Sequence, residues 1–196
     1  FTHDGVHEAP AETRVEQLHV ARERLGTLGE AVGRARHVLD AASHEKIALA
    51  GCVGVSEPAF WPGLDRCTPR AFKDSFLPLP AVTPRRAAKF GIKHYTWLCI
   101  NPKEAEDVEF SREVIALIPE FLQKPNVLGI GEIGLNKISR NEITILQDQI
   151  QLALKFNQVI MIHTPHLEDK LKGTRIIIDG LKEALVDPAR VRAIAP

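Results

Sequence analysis

The chain has 196 residues, its 25 Lys and Arg balanced by 25 Asp and Glu, and 44% of it is apolar, as in an ordinary globular domain. That balance creates no long-range field toward nucleic acid or membrane, and no polybasic run is present, so composition alone gives no support to a charged polymer substrate. No apolar run approaches the roughly 20 residues of a membrane helix, and "FTHDGVHEAPAETRVEQ" has neither a basic start nor an apolar stretch, so the expectation is a cytoplasmic chain with no membrane contact. Cys52, Cys67 and Cys99 are odd in number and lack C-x-x-C spacing, which predicts reduced core thiols rather than disulfides or a thiolate zinc site.

In chain order, residues 11–42 are rich in Ala, Glu, Arg and Leu with apolar positions three and four apart, predicting a helix or helical pair broken near Gly26 to Gly29. Composition shifts after residue 45, which divides the chain into a helical extension, 1–45, and a second part, 46–196. There, apolar runs predict strands at 50–56, 92–100, 126–135, 158–164 and, more weakly, 190–196. They are apolar throughout rather than alternating, which suits parallel strands buried on both faces. Helical spacing predicts helices over 102–123, with Pro102 at the start, over 141–157 and over 167–185. Regular strand–helix alternation means βαβ units, closing as an open doubly wound sheet or a (β/α) barrel. A full barrel takes about 250 residues, so five strands predict an incomplete one.

"NVLGIGEIGLNK", residues 126–137, contains Gly129, Gly131 and Gly134 at G-x-G-x-x-G spacing. A dinucleotide fingerprint needs those glycines to turn straight into a helix whose N-terminus holds the pyrophosphate. Here several residues intervene before a helix near Asn141, and other strands precede this one, so an open-sheet nucleotide-binding module is the weaker alternative. Read as a strand, the segment points Ile130 and Glu132 one way and Gly131 and Ile133 the other, with the glycines leaving room for a neighbouring backbone or a ligand. The next strand ends at His163. A carboxylate and an imidazole at adjacent strand ends suit a divalent transition metal, although a lone buried Glu can instead pair with a core cation and a lone His can cap a helix.

At "VLGIGEIGLNK" followed by "QDQIQLALKFNQVIMIHTPH", the sequence resembles the TatD-type metal-dependent hydrolases of the amidohydrolase superfamily. The likeness runs from about residue 46 to 190 and includes "LAGCVGVSEPAFWPG" and "GIKHYTWLCINPKEAEDVE". It implies an α/β fold, an incomplete (β/α) TIM-type barrel, carrying one or two divalent ions (Zn, Mg or Mn) at the strand C-termini. It further implies metal-activated water acting on phosphodiester or related bonds, with nucleic acid or a small phosphoester as substrate. By this resemblance Glu132 and His163 are metal ligands and catalytic residues, and Glu57, His94, Asn136 and His166 support the site or contact substrate. For Glu57 and His94 a core ion pair or packing role is weighed beside that reading, and for His166 a helix start.

The family pattern also has a His-x-His pair on its first strand, a His on its sixth and an Asp on its eighth. Residues 30–40, "EAVGRARHVLD", lack the pair; His3 and His7 are wrongly spaced and too far upstream, and "RVRAIAP" ends without a His. The resemblance therefore covers strands two to six of eight. This leaves a competing expectation, a catalytically incomplete barrel fragment that self-associates through its exposed edges. Phe60, Trp61, Tyr95 and Trp97 are candidates for stacking on a base, with core packing as the plainer role.

Overall fold

The computed structural model describes residues 41–59, 66–165 and 169–194. Five strands, β1 (Gly54–Pro58), β2 (Lys93–Leu98), β3 (Val127–Gly134), β4 (Val159–His163) and β5 (Val191–Ile194), form one sheet in the order β1-β2-β3-β4-β5. Every neighbouring pair is parallel. Each new strand is added to the same edge, so the described sheet has no point where strand order reverses. A doubly wound nucleotide-binding sheet places its ligand at such a point. The sheet is instead the curled half of a (β/α) barrel.

The first described helix, α1 (Ala41–Leu49), runs through the compositional boundary expected at residue 45. It ends where Gly51 takes a φ of 82° and Cys52 N–H returns to the Ile47 carbonyl. Residues 50–53 are spent on that stop, so β1 begins later than the apolar run suggests. Residues 11–40 of the helix expected over 11–42 lie outside the described residues.

Among the described residues between β1 and β2 are three short helices that periodicity does not announce: α2 (Pro69–Phe76), α3 (Pro78–Ala81) and α4 (Thr83–Ala88). Each has Pro in its first two positions. Proline starts a helical turn readily but cannot continue one, so the segment divides.

The same physics corrects the single helix expected over 102–123. Asn101 caps a 3-10 turn at Pro102–Glu104, and Asp107 accepts from Phe110 N–H to begin α5 (Val108–Leu117). Pro119 then opens a second 3-10 turn. The last two helices agree closely with their expected spans: α6 (Arg140–Lys155) and α7 (Lys170–Glu183), capped by Ser139 and Asp169. No helix among the described residues is long and apolar enough to cross a membrane.

The main core lies between the sheet and its helices. Leu98, Ile130, Ile133, Ile160 and Ile162 meet Phe72, Phe76, Val114, Ile118, Ile145 and Ile150 in one buried cluster. Full burial of each such side chain contributes about 1.5–3 kcal/mol. A smaller cluster joins Val55, Ala87 and Ile92 to α1. The core fixes which face of each strand is outward, and therefore which residues turn toward the barrel interior.

Candidate functional site

On β4, Ile160 and Ile162 share the helix-facing side, so Met161 and His163 share the other. Ile160 and Ile162 are registered against Ile130 and Ile133 of β3, and His163 against Gly134. Two residues of β3, Gly131 and Glu132, therefore stand against the single residue Met161. This extra residue corrects the simple alternation expected of the strand: Ile130 belongs with Ile133 in the outer core, while Glu132 turns inward. Such irregularities re-aim side chains next to active sites.

The three glycines have one explanation. A Cβ on Gly129 would strike the Val159 carbonyl, and one on Gly134 the His163 carbonyl. A Cβ on Gly131 would sit 2.5 Å from that of Met161. The space that looks like a phosphate cradle is filled by β4. The loop 135–138 and the Ser139 cap separate Gly134 from α6, so no glycine turns directly into a helix.

Glu132 Oε1 lies 2.9 Å from His163 Nδ1, and the two side chains are 10% and 24% exposed. They are thus held by each other toward the C-terminal ends of adjacent strands, Glu132 buried and His163 partly exposed. Carboxylate and imidazole are donor types that a divalent transition metal accepts. With Nδ1 engaged by the carboxylate, Nε2 is the ring nitrogen left for a ligand, the usual arrangement of a metal-binding histidine and its carboxylate. The pair fits such an ion in donor type and placement as part of a larger set. Among the described residues no group of three His, Cys, Asp or Glu could hold a metal.

The other expected site residues are not gathered there. Glu57 Oε2 and His94 Nε2 are 2.9 Å apart and form their own pair, with the His94 side chain wholly buried. Both follow the parity of Val55, which packs toward α1 and α4. His94 is the second residue of β2, at the strand end away from Glu132. The structure therefore pairs these two with each other on the helix-facing side of the sheet. His94 Nδ1 is buried with no hydrogen-bond partner among the described residues.

Asn136 is half-buried in the loop after β3, its N–H bonded to Glu142. Trp97 is 2% exposed, and its indole N–H donates to Ser56 Oγ at 2.6 Å, which leaves it no face for a base. Tyr95 is half-buried. His3, His7, Phe60, Trp61 and His166, and the stretch 30–40, lie outside the described residues.

Several residues around the pair were not anticipated. Gln149 of α6 accepts from Ile100 N–H at 2.9 Å and donates to Ile100 O at 3.2 Å, pinning the chain just past β2. Cys99 S–H donates to the Glu132 carbonyl at 3.2 Å. Burial, and then the charge of Glu132, push the Cys99 thiol well above its ordinary range. Arg66 binds Glu104 through two nitrogens, donates to Ser75, and lies 3.8 Å from the Phe72 ring centroid. None of these contacts has a local sequence signal, because the partners are 6 to 49 residues apart and meet only in the fold.

Glu142 is the exception. Ser139-x-x-Glu142 is the capping-box spacing and marks both the start of α6 and a carboxylate reaching back. The thiols also differ from expectation: Cys52 and Cys99 are buried, but Cys67 is exposed, and none is disulfide-bonded. Cys67 directly precedes the capping Thr68 of α2 at the protein surface.

The acid–imidazole pair of this parallel β/α half-barrel stands at the strand C-termini, the end at which (β/α) barrels place their catalytic groups. Residues 82–182, just over half of the 196, match the family described as TatD related DNase, and the chain belongs to that family. It is 28% identical over 157 residues to an uncharacterized metal-dependent hydrolase of Methanocaldococcus jannaschii, a match spanning 73% of this chain and 61% of the relative. The crystal structure of a TatD-like protein from Archaeoglobus fulgidus superposes with a TM-score of 0.68 at 27% identity, covering 80% of this chain and 64% of that one. The chain thus spans less than two thirds of the length of either relative.

Proposed function

We propose that this chain is part of a metal-dependent hydrolase of TatD type, acting on phosphodiester or related bonds, with Glu132 and His163 among its metal ligands. The observation that carries this reading is the 2.9 Å pairing of the two side chains at neighbouring strand ends. Family membership supports it, as does the relative described as a metal-dependent hydrolase. His163 would offer Nε2 and Glu132 its second carboxylate oxygen to one or two ions of Zn, Mg or Mn. Such an ion, when bound, lowers the pKa of its water toward neutrality and offsets charge on the transferred group.

The chain's own residues supply the arrangement. Glu132 fixes the imidazole orientation through Nδ1, and Cys99 holds the Glu132 backbone. Lys103, Lys137 and Lys172 are exposed on segments following β2, β3 and β4, at the same end of the sheet. Exposed Glu106, Asp107 and Asp169 stand on the same segments, so the substrate class, a nucleic acid or a small phosphoester, is taken from the family and not from surface charge. Catalytic metals usually keep three protein ligands, so turnover depends on donors beyond this pair.

The test is titration with Mn²⁺ or Zn²⁺ and an assay on a chromogenic phosphodiester. Wild type should bind at micromolar concentration, and Glu132→Ala and His163→Ala should lose both binding and turnover. Absence of micromolar binding by wild type overturns the reading.

One observation favours a second reading, an incomplete barrel that acts through association. β1 and β5 are the edges of the described sheet, and unpaired edge strands recruit other chains. Sedimentation showing a monomer that turns over substrate removes it.

A further inference from the structure

Glu142 does more than begin a helix. It is 1% exposed, and its carboxylate accepts from three consecutive backbone N–H groups, Asn136 and Lys137 at 2.9 Å and Ile138 at 2.8 Å. Apart from Leu135, the whole loop between β3 and the Ser139 cap is strung on this one side chain. Ile138 has a φ of 62°, a conformation that a β-branched residue adopts only when its surroundings impose it. Removing those three acceptor contacts therefore frees the loop to take another path.

That path matters at the candidate site. The loop leaves β3 at Gly134, which is registered against His163 and abuts its carbonyl. Between Ile130 and Ile133 the β3–β4 register shifts, so Glu132 sits where the ladder is irregular and its position depends on what holds the strand beyond it. The loop reaches the partner strand by a second route. A Cβ on Gly173 of α7 would meet both the Pro165 ring and, at 3.2 Å, Ile138 Cδ1. Pro165 lies two residues past His163. One carboxylate thus bears on the end of β3 and on the segment after β4, the two places that carry the acid–imidazole pair.

We propose that Glu142 is a positioning residue that sets the spacing of Glu132 and His163 for a divalent cation. This rests on the reading of those two residues as ligands. A purely structural role would make Glu142 a helix cap, and Ser139 already fills that role, its Oγ accepting from Glu142 N–H at 3.0 Å. Ser139→Ala removes the cap and leaves the three loop contacts in place. Glu142→Gln keeps the size and turns an NH₂ group toward backbone donors.

The experiment measures Mn²⁺ affinity of the 196-residue chain by calorimetry, with urea unfolding of each variant alongside. Glu142→Gln should weaken Mn²⁺ binding by about 10- to 100-fold, the range for residues that orient metal ligands, whereas Ser139→Ala should lose stability yet bind within about twofold of wild type. Hydrogen exchange at the amides of 136–138 should accelerate in Glu142→Gln and not in Ser139→Ala. Equal affinities of wild type and Glu142→Gln overturn the positioning role and leave Glu132 and His163 as ligands. Wild type that binds no Mn²⁺ overturns the ligand reading and this inference with it. Should Glu142→Gln fail to fold, Glu142→Asp gives the same decision, since wild-type affinity with a carboxylate one methylene shorter overturns the proposal.

Discussion

Glu132 and His163 meet at 2.9 Å across the boundary between β3 and β4, although 31 positions of sequence numbering separate them. Their backbones are not registered partners: His163 opposes Gly134, two residues beyond Glu132. The contact is diagonal and depends on the extra residue of β3 that turns Glu132 inward.

Residues that act as a unit lose function together. Glu132→Gln and His163→Gln should each lower metal-dependent turnover by about 100-fold or more, and the double variant should be little worse than either. A double-mutant cycle on kcat/KM checks this. Additive losses would show that the two side chains work independently.

The glycines of the third strand are packing requirements. Gly131→Ala should destabilise the protein by about 3 kcal/mol or more, because the new methyl meets Met161 Cβ at 2.5 Å and its carbonyl oxygen at 2.9 Å. Gly180→Ala is the control, since a methyl there meets nothing within 4 Å on the helical α7. It should stabilise by about 0.5–1 kcal/mol. Urea midpoints of the two variants should move in opposite directions.

Gln149→Leu removes the side-chain partners of both backbone polar groups of buried Ile100 while nearly preserving volume. Ile100 N–H and C=O are then left in the core without partners, at about 1–3 kcal/mol each. A loss on the order of 2–5 kcal/mol should appear in denaturant unfolding. A loss below about 0.5 kcal/mol would show that water or another group takes over the clamp.

Cys99 has a thiol raised well above its ordinary value of 9.0, first by burial and then by the nearby charge of Glu132. A folded-state pKa above the unfolded one means that the native protein holds this proton longer. The corresponding stability is complete below pH 9.0 and is lost as pH rises toward the folded value. Cys99→Ala should flatten the alkaline limb of a stability–pH profile compared with wild type. With a chromogenic disulfide at neutral pH, exposed Cys67 should react first, and Cys52 and Cys99 only on unfolding.

Much of the barrel was legible because parallel strands covered on both faces must be apolar at nearly every position. "KHYTWL", "VLGIGEIG" and "VIMIH" each became a strand within two residues of its expected bounds. The segment 69–88 was not legible, because its prolines cut it into turns too short for a 3.6-residue period. Asp107 similarly ended one helical pattern and began another. Glu132 and His163 could be singled out because Glu132 interrupts an apolar run and His163 ends one, so a polar group there must face a functional pocket or a partner. Glu57 and His94 looked alike in sequence, and only the sheet register showed that they partner each other.

The sequence alone determined the class of fold, the strands and the acid and imidazole at their ends, since apolar runs and their polar terminations are local properties of the chain. The tertiary structure decided what the glycines are for, which side of β3 Glu132 takes, and which buried groups hold the strand ends. Each of those depends on a close approach between segments distant in sequence. The Val159 and His163 carbonyls at the glycines, Glu132 against His163, and Gln149 on Ile100 exist only once the chain has packed.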